Sequence, residues 1–293
     1  MNVRSFLAAA SLGAAIFTAA GAVRADPPPF AAHAEGTRVG LSVDLYPTQD
    51  FFLATMGFGA QIAVHRNVGI DLDVPWWVAH TSISGSSGSA ALFGDITIGG
   101  HGVFRVLPEA ALNIGATVSI PTRYDFQSPS QNVAIMSLFA SLSRGFYDFW
   151  RLAPGVLSIR FPIGFEARFL DLLYYRGELN PVILIPVASG SSGGAQAILE
   201  HADELEVRAP FGLGGGVRFQ MAFLLTDGLS SSLGAGGTSD HLQTAIEPFV
   251  GYEPVGSGLY ARVGMLVALD TPLGPGTDKD KLTTVRMQVG GKF

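Results

Sequence analysis

The stretch Lys281–Phe293, K-L-T-T-V-R-M-Q-V-G-G-K-F, decides the fold. Val285, Met287, Val289, Gly291 and Phe293 fall on one face of an extended chain; Thr284, Arg286, Gln288 and Lys292 fall on the other. A strict two-residue period describes a strand with one face in apolar surroundings and one in a polar space. The strand ends on an aromatic.

Working back from it, the same period returns again and again. Leu259, Ala261, Val263, Met265, Val267 and Leu269 oppose Tyr260, Arg262 and Asp270. Ile246, Pro248, Val250 and Tyr252 oppose Glu247, and Val217, Phe219, Met221 and Phe223 oppose Gly216, Arg218 and Gln220. Leu157–Phe165 alternates with Ser158 and Arg160 and runs on to Glu166 and Arg168. Leu112–Ile120 alternates with Asn113, Thr117 and Ser119, and the segment before it sets Ile96, Ile98, Phe104 and Val106 against Asp95, Thr97, His101 and Arg105. Val68, Ile70, Leu72 and Val74 oppose Asp71 and Asp73; Met56–Val64 alternates likewise; Val39–Leu45 opposes Arg38, Ser42 and Asp44.

Composition narrows what these strands build. Of 293 residues 48% are hydrophobic and only 14% charged, against about 25% charged in an ordinary soluble domain. Beyond residue 25 no apolar run reaches the ~18 residues of a membrane helix. A hydrophobic chain without hydrophobic runs must spread its apolar residues out, and alternation does this in a barrel, lipid side out and lumen side in. A greasy β-sandwich satisfies composition alone.

The closing stretch resembles the last strand of bacterial outer-membrane β-barrels, in which a terminal aromatic serves the insertion machinery; Phe293 matches that signal. A second resemblance lies between about residues 53 and 122. Arg66–Pro75, then Phe93-Gly94-Asp95-Ile96-Thr97-Ile98-Gly99, a turn, and Ile114-Gly115 to Ile120-Pro121-Thr122 are similar to the phenol meta-pathway transporter family of outer-membrane proteins. Arg123 stands where that family usually has Gly. The resemblance implies a passive channel for small apolar or aromatic solutes.

The expected architecture is all-β: a transmembrane antiparallel up-and-down barrel of about twelve strands, with ten to fourteen compatible. Met1–Ala25 carries Arg4, an apolar core Phe6–Ala20 and small residues at Val23 and Ala25, the plan of a secretory signal peptide. Residues 26–36 hold three consecutive prolines and make a periplasmic lead-in; the barrel then spans 37–293. Without the leader the balance is 16 basic to 24 acidic residues. No clustered basic surface points to nucleic acid. There is no cysteine.

His80–Ser89, Arg123–Gln131, Ser189–Gly194, Asp227–Asp240 and Thr271–Lys281 read as loops, and Ala134–Leu142 as a sixth strand. Ala197–Glu206 fits a short helix or part of a strand. Phe146, Tyr147, Phe149, Trp150, Trp76, Trp77, Tyr124, Tyr174 and Tyr175 suit the aromatic girdles of a barrel, or packing under a loop.

The lumen would carry Arg38, Asp44, Asp71, Asp73, Asp95, His101, Arg105, Arg160, Glu166, Arg168, Arg218, Glu247, Arg262 and Arg286. Cross-paired charges that keep the wall rigid are one reading; a constriction past which solute moves is the other. His80 and Ser82, the His-x-Ser pair of outer-membrane acyl hydrolases, are the one catalytic candidate, but Ile83 replaces the expected Asn. Gly212–Gly216 lacks the Lys-Ser/Thr of a phosphate loop, and the six histidines lack metal-ligand spacing. No cofactor or metal is expected. The partners are outer-membrane lipid, the barrel-assembly machinery and a small solute, in the outer membrane of a Gram-negative bacterium, and the chain is expected not to be an enzyme. A barrel with a closed lumen is the remaining alternative.

Overall fold

A computed structural model describes residues 37–47, 51–83, 86–122, 144, 147–152, 155–170, 172–187, 194–226, 241–254, 256–269 and 283–293. The leader, the lead-in, Ala134–Leu142, Arg123–Gln131, Asp227–Asp240 and Thr271–Lys281 lie outside these residues.

The strand segments are β1 (Arg38–Pro47), β2 (Phe51–His65), β3 (Val68–Ile83), β4 (Ser86–Phe93), β5 (Ile96–Leu107), β6 (Ala110–Ile120) and β7 (Val156–Arg160). They continue with β8 (Ile163–Phe169), β9 (Leu173–Pro186), β10 (Gln196–Arg208), β11 (Leu213–Leu224), β12 (Leu242–Tyr252), β13 (Leu259–Ala268) and β14 (Thr283–Lys292). β4 and β5 both pair with β3, and β7 and β8 both lie between β6 and β9. Each couple is one stave interrupted in the middle, at Gly94-Asp95 and at Phe161-Pro162. Pro162 has no N–H to give to a ladder, so the break falls where the backbone tolerates it.

Twelve staves result, each antiparallel to its neighbours, and β14 pairs with β1 to close the ring (Arg38↔Lys292 to Leu45↔Val285). Closure removes the sheet edges that a bilayer could not solvate. The alternation read in the sequence is the register of this wall. Leu41 and Val43 lie level with Val289 and Met287 on the outer face, while Asp44 lies level with Arg286 on the inner one. Outside, Ile98, Phe104, Val250, Val263 and Met265 are exposed. That apolar belt is what a lipid-facing wall presents.

The staves meet in short turns at one end, 66–67, 108–109 and 209–212 among them; the connections at the other end include the long 121–155 and 225–241. These are called the turn end and the loop end. Two expectations change. His80–Ser89 is not a free loop, because β3 continues to Ile83 and β4 begins at Ser86, with His80 opposite Ser89. Ladder hydrogen bonds satisfy the backbone there despite a Ser/Gly-rich sequence. Residues 196–208 are a strand throughout, paired on both sides.

Candidate functional site

The interior divides by height. At the middle level stands a lattice of arginines and carboxylates. Arg286 of β14 donates from Nε to Asp44 Oδ1 at 3.0 Å and from Nη1 to Glu247 Oε2 at 2.8 Å. Arg218 of β11 reaches Glu204 Oε2 from Nε at 2.9 Å and from Nη2 at 2.7 Å. Arg262 of β13 reaches the same oxygen at 2.7 Å, and Arg176 of β9 reaches Glu204 Oε1 at 3.0 Å. Glu204 therefore faces three guanidiniums at once. Gly264 makes room for its neighbour, because a Cβ there would lie 2.6 Å from Glu247 Oε1.

A second element crosses the lumen: the last part of the β6–β7 connection, Arg144 and residues 147–152, with a single 3-10 turn at Phe149–Arg151. It does not belong to the wall, yet Trp150 is 0% exposed and Arg151 2%. Arg144 bonds Asp44 on β1, and Arg151 bonds Asp73 on β3. The Asp148 N–H donates to Glu200 Oε1 of β10 at 2.8 Å, and Trp150 Nε1 to the same oxygen at 3.1 Å. Gln220 of β11 donates to the Arg144 carbonyl at 2.8 Å. Asp95 N–H donates to the Arg151 carbonyl at 2.8 Å. The segment thus docks where the β4/β5 stave is interrupted. Arg160 stacks on Trp150, its guanidinium carbon 4.4 Å from the ring centre. Side-chain and single backbone contacts hold the segment to six staves.

Toward the loop end the inward positions turn apolar. Leu53, Trp77 and Ala79 on β2 and β3, Val182 and Leu184 on β9, Ile198 on β10, Leu224 on β11, and Leu266 and Ala268 on β13 point inward and are buried. Toward the turn end a cavity of about 120 Å³ lies between the segment and residues such as Arg38, Gln61, Asp71, His101 and Gln288. There His101 Nδ1 lies 2.9 Å from Asp71, and Gln61 donates to Asp71 at 3.1 Å.

Among the expected lumen residues, Arg38, Asp44, Asp95, His101, Arg160, Glu166, Arg218, Glu247, Arg262 and Arg286 are buried and inward, and Asp71 and Asp73 are partly so. Arg105 and Arg168 are exposed near the turn end. The structure brings Asp44, Arg218, Glu247, Arg262 and Arg286 into one network. Reading by sequence missed its other half: Arg144, Asp148, Arg151, Arg176, Glu178, Glu200 and Glu204. Tyr147, Trp150 and Trp77 are not girdle residues but interior ones, 2%, 0% and 2% exposed. Tyr174 also faces inward, under the Arg208 guanidinium at 4.6 Å. His80 sits on the outward face of β3, and the Ser82 side chain lies outside the described residues. Phe293 is exposed at the turn end, its N–H donating to the Thr37 carbonyl at 2.9 Å. Among the described residues no cluster of three metal-ligating side chains occurs.

The fold is similar to that of an outer-membrane channel from Pseudomonas putida F1, with a TM-score of 0.62 and 11% identity over 92% of this chain and 100% of that one. It is also similar to the NanC porin, with a TM-score of 0.52 and 7% identity over 87% of this chain and 98% of that one. No family model matches the sequence, and no curated protein does. At these identities the likeness is one of fold.

Proposed function

We propose that this protein is a channel of the bacterial outer membrane for small apolar or aromatic solutes, and that the inward stretch formed by Arg144 and residues 147–152 is its gate. The observation that carries the reading is the way this segment is held. It lies across the lumen on ion pairs and a few hydrogen bonds to the wall, contacts that can be exchanged for water without opening the barrel.

Two further features support the solute class. The inward face at the loop end is apolar, a surface on which an aromatic ring loses water favourably. The resemblance to phenol meta-pathway transporters implies the same solutes. Short turns face the periplasm in barrels of this kind, so the apolar level is on the outer side. On this reading Met1–Ala25 directs export, residues 26–36 lead into the barrel, and Phe293 marks the last strand for the assembly machinery. The lattice around Glu204 and Glu247 is the constriction, and the charges facing it set what passes when the segment moves.

The test uses residues 26–293 refolded into liposomes, with folding checked by heat-modifiable migration. Uptake of a small aromatic and of a polar sugar is measured for the wild type and for Arg144→Ala/Arg151→Ala. The wild type should admit the aromatic above empty liposomes, and the double variant should admit both solutes faster. Folded protein that admits neither solute in either form would sink the channel reading in favour of a permanently closed barrel.

A further inference from the structure

The outer wall carries one polar cluster that the channel does not use. On the lipid-facing side of β9 and β10, the Tyr175 hydroxyl donates to Asp203 Oδ1 at 2.6 Å, and His201 Nε2 lies 2.8 Å from Asp203 Oδ2. His201 Nδ1 lies 2.9 Å from the Glu178 carbonyl. A carbonyl can only accept, so Nδ1 carries a proton. The cluster thus sets an imidazole and a carboxyl group side by side on the outer face.

The cluster is built rather than incidental. Gly177 sits opposite Asp203 on β9. A Cβ at Gly177 would stand 2.7 Å from the Tyr175 hydroxyl and 3.1 Å from Asp203 Oδ1. Only the missing side chain lets the ring lie across to the carboxylate.

Depth decides what could meet it. Asp203 is five residues before Arg208, the end of β10 at the turn end. At about 3.3 Å per residue and a ~45° tilt it stands roughly 12 Å above that end, near the middle of an apolar band ~25 Å tall. Lipid headgroups do not reach this level. An ionisable group there calls for another protein surface.

We propose that this face, β9 to β11, is the contact surface for a second copy of the chain. The cluster is self-complementary. Strand tilt separates His201 from Asp203 sideways as well as in height. A two-fold axis along the membrane normal between them brings each His201 over the Asp203 of the other copy, as an isologous interface requires. Leu179, Leu205 and Val217 around it are exposed and apolar, and keep the contact dry. The inference requires a barrel in a bilayer and is independent of what passes through the lumen.

The natural chain has no cysteine, so single-cysteine crosslinking of the full protein in outer-membrane vesicles gives a direct readout. Leu205→Cys lies beside the cluster, paired with Tyr175. Ile62→Cys on β2, six staves away on the opposite wall and also exposed, is the control. Mild oxidation should convert Leu205→Cys to a dimer and leave Ile62→Cys monomeric. Adding Asp203→Leu should lower the Leu205→Cys dimer yield about tenfold. Tyr175→Phe, which keeps the ring, should lower it less, and serves if the first variant does not fold. Equal crosslinking at the two sites, none at Leu205→Cys, adducts to other proteins only, or a yield indifferent to both substitutions would overturn the proposal.

Discussion

The ionic level and the apolar level of the barrel interior are both made of inward-facing residues from the same staves. β10 shows the change within one strand: Ile198 points inward at the loop end, and Glu200, Glu204 and Glu206 point inward below it. β11 does the same, with Leu224 above Gln220 and Arg218. In the apolar level each side chain contributes by removing its own surface from water, and its neighbours tolerate its loss. In the ionic level no residue stands alone. A carboxylate there is stabilised only by the guanidiniums around it, and they by it. The same strand geometry thus makes one surface that an apolar solute can wet and one that a solute can pass only by displacing fixed charges.

The largest test of that difference is Glu204→Leu. It leaves Arg176, Arg218 and Arg262, each bonded to Glu204, facing one another without their common anion. Breaking a buried pair from one side costs about 3–5 kcal/mol, and the urea midpoint of the folded barrel should fall accordingly. A fall under about 1 kcal/mol would mean that water reaches these arginines, and that the level is wet rather than packed. The matched change above it, Ile198→Ala, should cost about 2 kcal/mol from lost burial and the space left behind. It should leave sugar exclusion unchanged and slow aromatic uptake. If Ile198→Ala instead admitted sugar, the barrier would lie at the loop end and the ionic level would not be the constriction.

The wall was legible because its two faces meet different media, and each medium selects its residues with period two. β14 follows that rule from Thr284 to Val289, and β12 and β13 follow it around Glu247 and Arg262, so the inward charges Glu247, Arg262 and Arg286 were readable. β10 breaks the rule on both faces. Ile198 and Ala202 are apolar and inward, while His201 and Asp203 are polar and outward, so the strand reads equally as a helix. A polar cluster on the outward face, and a lumen that is not polar at every height, both erase the period. Glu200, Glu204, Glu206 and Arg208 still share one parity, and that was the available signal. The inward segment had none. Its aromatics and charges are short of one period, and nothing local distinguishes a connection that folds into the lumen from one that covers the rim. Asp44, Asp73 and Glu200 meet it only because closure of the ring brings β1, β3 and β10 around one axis.

Trp150→Phe probes the seam between the two levels and should have the smallest effect. Trp150 is fully buried, with its indole N–H on Glu200 and the Arg160 guanidinium over its ring. Phenylalanine keeps a ring for Arg160, though a weaker one, and removes the donor. Glu200 retains the Asp148 N–H at 2.8 Å and the Asn180 amide at 2.6 Å, so its carboxylate is not orphaned. The loss is one hydrogen bond to a charged group that has others, about 1 kcal/mol, read as a small drop in the urea midpoint. Because that bond ties the segment to β10, aromatic uptake should rise modestly while sugar stays excluded, since Arg144 and Arg151 still hold the other side. A stability loss like that of Glu204→Leu would show that the segment is part of the packed core, and a gate made of it could not move.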